Sequence, residues 1–336
     1  MDFRDCRSLK EAGAKALANS AFEPRKLMLV FSGATAALLL VATVLNFILQ
    51  QQIAGTGGLS GLGLRSILET AAQVLQTGTN LVVPFWTMGY VACMLRMVRG
   101  QPFDLKNMLD GFRNFSPILR LNLLRALYFM MLAIFSFYLS MTIFEFTPLA
   151  TPVMELLAPQ IEAIEAGGVA DLTTVDMEAL SFALIPLMVL FAVVFTVVAG
   201  PNFYRFRMAD YALMDDPKAG ARMAIRRSTA MMRGNRLALL KLDLSFWWYY
   251  LLDALLLGLC YMDAILVLVG ITLPVSASVA WLGFYALYLA AQLGLQVWAR
   301  NRLESTYAVG YEVLRQELDR KIQEAVERRN AQQQQN

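Results

Sequence analysis

The 336-residue sequence contains no histidine. That absence removes imidazole as a general base, as the partner of a Ser or Cys nucleophile, and as a metal ligand. Cysteine is scarce. Cys6, Cys93 and Cys260 lie far apart, match no metal or redox spacing, and predict no disulfide. Charge is thin as well: 16% of residues are Asp, Glu, Lys or Arg, with a net charge of +3. So small a net charge offers no electrostatic case for a nucleic-acid partner. A phosphate loop is missing too, because the glycines of GTGGLSGLG (55–63) are not followed by Gly-Lys-Ser/Thr. No Rossmann or kinase fingerprint stands elsewhere, and the sequence implies no cofactor.

What is abundant is apolar. Hydrophobic residues make up 57% of the chain, and the mean hydropathy is +0.50. These values belong to polytopic membrane proteins. About 20 apolar residues cross a bilayer core as a helix, and the runs predict six spans at about 27–49, 67–97, 119–143, 180–204, 239–262 and 275–298. The expected fold is therefore all-α: a transmembrane bundle of six spans with amphipathic interfacial helices on the cytoplasmic side.

Residues 1–26 read as a cytoplasmic amphipathic segment with a helix over Leu9–Ala21, and the apolar run after it is too long for a cleavable signal peptide. Residues 50–66 read as a glycine-rich loop, Pro84 as a kink, and 101–119 as a short interfacial helix capped by Asp104. Gly200-Pro201 predicts a bend and Gly270–Pro274 a turn. Residues 299–329 form a cytoplasmic amphipathic helix with Leu303, Tyr307, Tyr311, Leu314, Leu318 and Ile322 on one stripe. The tail 330–336, NAQQQQN, reads as disordered.

Charge sets the orientation. With six spans, 28 of the 29 Lys and Arg residues fall on one side, and only Arg65 falls on the other. Residues 145–180 carry seven acids (Glu145, Glu155, Glu162, Glu165, Asp171, Asp176, Glu178) and no base. The positive-inside rule then puts both termini in the cytoplasm and the acidic segment outside.

The most basic stretch is Arg205–Lys241, with nine Lys and Arg residues. Asp216 reads as an N-cap with Pro217 opening a helix. At 100° per residue Arg222, Arg226, Arg233 and Arg236 share one face, with Ala224, Ile225, Ser228, Met231 and Met232 roughly opposite. Such a helix lies in the headgroup layer, apolar side down, with its arginines on anionic phospholipids; the alternative is an ordinary solvated loop. A loose repeat, an amphipathic helix followed by paired spans, starts near residues 9, 104 and 217.

Asp253, in FWWYYLLDALLLGL, falls near mid-membrane. A carboxylate there is a candidate contact for an ion, proton or polar substrate, or else a polar contact to Tyr, Ser or Thr on a neighbouring helix. Glu69, Glu145 and Asp263 fall near outer ends of spans. The cluster Phe246, Trp247, Trp248, Tyr249 and Tyr250 reads as an interfacial aromatic belt. Three functions follow: a non-enzymatic protein organising lipid or a protein partner through its basic helices, a transporter or export/immunity factor using Asp253, or a lipid-modifying enzyme. Without histidine or an acid pair, the third has the least support.

The stretch ADYALMDDPKAGARMAIRRSTAMMRGNRLALLKLDLSFWW resembles the signature of a family of bacterial integral membrane proteins known as domain of unknown function 975. The matching residues are Tyr211, Asp216, Pro217, Ala224, Ile225, Ser228, Met232, Gly234, Asn235, Arg236, Leu242, Leu244, Ser245, Phe246 and Trp248. MVRGQPFDLKNMLDGFRNF and ESTYAVGYEVL resemble two further blocks, so the likeness spans roughly residues 5–315. GLCYMDAILVLVGITLP departs from the Gly-rich, Pro-Tyr-containing link usual after the fifth span. The resemblance implies a membrane topology in a bacterial plasma membrane and supplies no catalytic residue.

Overall fold

The computed structural model describes residues 2–20, 22–55, 62–167, 175–262, 265, 266, 269 and 277–335. Asp171, Asp263, the turn at Gly270–Pro274, most of GTGGLSGLG and the side chain of Arg65 lie outside the described residues. The chain is helical throughout, with no strand among the described residues. Five helical stretches there are long and apolar enough to cross a membrane, and a sixth forms if a pair bent by 63°, Arg236–Leu244 and Trp247–Tyr261, counts as one span.

Two compact units result: residues 120–207, and residues 1–119 with 208–336. In the first, the end of helix α5 (Phe115–Glu145) leads through a 3-10 turn at Pro148–Ala150 into α6 (Thr151–Glu165), α7 (Met177–Ala183) and α8 (Ile185–Phe206). The acidic segment is thus largely helical rather than loop. Asp176 starts α7 by accepting from the backbone N–H of Glu178 and Ala179, both at 3.0 Å. Helix α8 continues through Gly200 and Pro201, where a bend was expected.

The larger unit holds α1 (Cys6–Ala18), α2 (Pro24–Gly55), α3 (Leu62–Val98), α4 (Asp110–Arg113), α9 (Ala209–Asp215), α10 (Gly220–Met231), α11 (Arg236–Leu244), α12 (Trp247–Leu257), α13 (Ala277–Leu295) and α14 (Asn301–Gln335). Asp5 opens α1 three residues earlier than the sequence pattern indicated, its carboxylate accepting from the N–H of Arg7 and Ser8. Helices α2 and α3 extend into both flanks of the glycine-rich stretch, so 50–55 and 62–66 are helical and not loop. Helix α3 runs on through Pro84. After it, Asp104 and Asn107 form a capping box on a 3-10 turn, Leu105–Leu109. That turn and α4 press onto α3: a Cβ on Gly89 would stand 1.8 Å from the Met108 carbonyl oxygen, and one on Gly111 1.9 Å from that of Phe85. Glycine is required at both places by backbone contact. The expected interfacial helix is here a tightly docked corner.

A π-helical segment, Gln296–Arg300, joins α13 to α14, so the last span continues into the charged C-terminal helix. The first turns of α14 are the centre of the unit. Leu303, Tyr307, Ala308, Tyr311 and Leu314 are buried, with Ser305 and Thr306 beside them. Helix α1 lies against this stretch, and Gly13 allows the approach: a Cβ there would meet the Thr306 N and Oγ1 at 3.0 Å. The predicted stripe is buried as far as Leu314, and Ile322 is exposed. Helix α14 runs to Gln335, over the tail expected to be disordered. Three i,i+4 ion pairs (Lys321–Glu317, Arg320–Glu324, Arg328–Glu324) lie along its exposed part, and Ala and Gln continue a helix readily.

Candidate functional site

The basic stretch does not make one helix. The Asp216 carboxylate accepts from the Ala219 N–H at 3.2 Å and caps a 3-10 turn, Pro217–Ala219. Gly220 follows with φ +78° and opens α10, which ends at Met231. Gly234, at φ +84°, turns the chain into α11. Glycine adopts this backbone conformation without steric cost, and the turn splits the expected four-arginine face. Arg222 and Arg226 lie on α10, Arg233 in the turn, and Arg236 at the start of α11. The first three are exposed and Arg236 is half-buried.

The other side of α10 is covered by protein. Ala221, Ala224, Ser228, Met231 and the following Met232 are buried, and α10 contacts α9 and α14. The apolar side expected to rest on lipid is therefore part of a protein core. Its small residues fit that role, since they let helix backbones come close.

Beneath α9 and α14 the structure assembles a polar cluster that the sequence did not single out. Arg99, just past the end of α3, reaches Asp215 of α9 through Nη2 at 2.6 Å and Glu312 of α14 through Nε at 2.7 Å. Burial acts to lower the pKa of Arg99, but hydrogen bonds and charge from Asp215 and Glu312 outweigh it and hold the pKa above the ordinary guanidinium value. The Tyr311 hydroxyl donates to Asp215 at 2.9 Å, and Tyr211 donates to Glu304 at the same distance. The two tyrosine rings stack with centroids 5.8 Å apart. Arg300 pairs with Glu304 at 3.4 Å, and Asp110 takes both Arg96 at 2.7 Å and Arg113 at 3.1 Å. Tyr307 donates to Asp243 and shares a hydrogen bond with Tyr250. These carboxylates are all answered by a cation or a phenol. Such closure rigidifies helix contacts.

Asp253 sits on α12 and accepts a hydrogen bond from the Gln292 side-chain amide of α13. The neighbour is a glutamine rather than the Tyr, Ser or Thr anticipated. The aromatic cluster straddles the bend between α11 and α12, where Trp248 meets Trp298 edge-on with centroids 5.2 Å apart. Trp247 is exposed.

Helices of this length and apolarity define a polytopic α-helical protein suited to a membrane. The chain belongs to the family described as "Protein of unknown function (DUF975)", which it matches over residues 8–291. That match ends before ESTYAVGYEVL, so this last block is outside it. No curated protein and no solved structure matches the chain.

Proposed function

We propose that the protein is a non-enzymatic component of a bacterial plasma membrane, with both termini cytoplasmic, that engages anionic phospholipids through its basic unit. The supporting observation is how the charges are shared out. Asp110, Asp215, Glu304 and Glu312 are consumed inside the unit by Arg96, Arg113, Arg99, Arg300 and Arg315. Arg222, Arg226 and Arg233 remain exposed, with no ion pair among the described residues. Exposed arginines beside a bilayer gain about 1 kcal/mol each from an anionic surface. Because the apolar side of α10 is occupied by protein, the contact is electrostatic and does not insert the helix. Asp253 takes the part of an interhelical contact in this scheme, which leaves transport through it without an observation in its favour.

The test uses the full chain in nanodiscs with an environment-sensitive dye at Met223→Cys in a cysteine-free background. The dye should respond to phosphatidylglycerol over phosphatidylcholine, and Arg222→Gln/Arg226→Gln/Arg233→Gln should abolish the difference. An identical response in both lipids would remove the proposal.

A further inference from the structure

Helix α1, the start of α2, the bend between α11 and α12, the π-helical segment and the start of α14 line a half-open cavity of about 760 Å³. Its wall combines three cations, Lys10, Arg25 and Arg302, with three aromatic rings, Phe246, Trp248 and Trp298. Lys10 is already placed: its Nζ donates to the Ser245 carbonyl at 2.9 Å and stands 4.2 Å above the Phe246 ring, holding the bend between α11 and α12. Arg25 and Arg302 are exposed and have no ion pair among the described residues. Two acids also line the wall, but each is matched by a cation of its own, Glu11 by Arg7 at 2.9 Å and Glu23 by Lys26 at 3.1 Å. The cavity is thus left with unmatched positive charge beside tryptophan.

We propose that this cavity is a binding site for the headgroup of an anionic phospholipid, with the phosphate at Arg25 and Arg302 and an acyl chain along Trp248 and Trp298. This rests on the membrane placement proposed above, but not on the arginines of α10. Guanidinium matches phosphate geometry by paired N–H donors, and tryptophan favours the boundary between headgroup and acyl chain. A site with both chemistries in one wall selects a charged amphiphile over a free anion, because a free phosphate leaves the aromatic half unfilled.

The experiment delipidates the purified full-length protein in detergent, adds phosphatidylglycerol or phosphatidylcholine, and counts bound lipid by native mass spectrometry. The parent chain should retain phosphatidylglycerol preferentially. Arg25→Gln/Arg302→Gln should lower that retention about tenfold. Ala14→Trp, which narrows the cavity and leaves its charges in place, should do the same, while Lys321→Gln/Arg328→Gln, on the exposed part of α14 away from the cavity, should retain the lipid. Equal helical content by circular dichroism separates loss of lipid from misfolding. Parental retention in both cavity variants overturns the site. Displacement of the lipid by an equal concentration of glycerol phosphate overturns it too, by making the ligand a soluble phosphate. A chain that enters no vesicle of either lipid instead defeats the membrane placement, which is a distinguishable result.

Discussion

Arg99 and Asp215 stand 2.6 Å apart although 116 residues separate them in the chain. Glu312 joins the same guanidinium from the C-terminal helix, so one arginine ties α3, α9 and α14 together. Removing it leaves Asp215 and Glu312, both largely buried, with only the longer contacts to Arg315 at 3.4 and 3.6 Å as ion pairs. Arg99→Ala should therefore cost about 2–3 kcal/mol, less than a fully buried pair because the site is partly open to water. Thermal unfolding in detergent measures this, and Arg99→Met/Asp215→Leu should recover part of the loss.

The corner formed by α3 and α4 tolerates no side chain at two glycines. A Cβ at Gly89 or Gly111 would stand within 2 Å of a backbone carbonyl oxygen, which cannot rotate away. Gly89→Ala and Gly111→Ala should each lower stability by about 2–3 kcal/mol. Gly33→Ala, where a Cβ meets nothing within 4 Å, should stay within about 1 kcal/mol of the parent. Denaturant titration followed by tryptophan fluorescence compares the three.

Acid should loosen the start of α1. Hydrogen bonds from the backbone N–H of Ser8 and Arg7 favour the charged form of Asp5 and lower its pKa. Its contribution is therefore present above the unfolded carboxylate value of about 3.9 and is lost as pH falls through the lower folded value. Asparagine caps without titrating. Hydrogen exchange of α1 amides should accelerate across that window in the parent chain and lose this dependence in Asp5→Asn.

The Asp253–Gln292 contact joins α12 to α13. Interhelical polar contacts in membranes are modest, so Gln292→Leu should cost about 1 kcal/mol. Retention of phosphatidylglycerol should be unchanged, because neither residue lines the cavity at Arg25 and Arg302. Unfolding in detergent and the lipid count read the two effects separately.

The long apolar runs were legible because hydropathy alone decides them. Leu27–Leu49 lies within α2, and the third run lies within α5. The split of the basic stretch had a local signal in Gly234, but helical periodicity carried across it and hid the turn. The bend at Ser245-Phe246 had no comparable signal, since hydropathy is continuous there and the bend is held by Lys10 from 235 residues away. The same reason conceals the Arg99 cluster: its charges look like solvated surface until helices distant in sequence bring them together. Gly89 and Gly111 read as ordinary glycines, because a close backbone approach is a property of two segments and not of either one.

Cysteine labelling in intact cells decides whether the Lys- and Arg-rich segments share one side of the membrane. In a cysteine-free background, Glu162→Cys should react with an impermeant maleimide added outside, and Arg226→Cys should react only after the membrane is opened. Labelling of both from outside, or of neither until lysis, would contradict the topology.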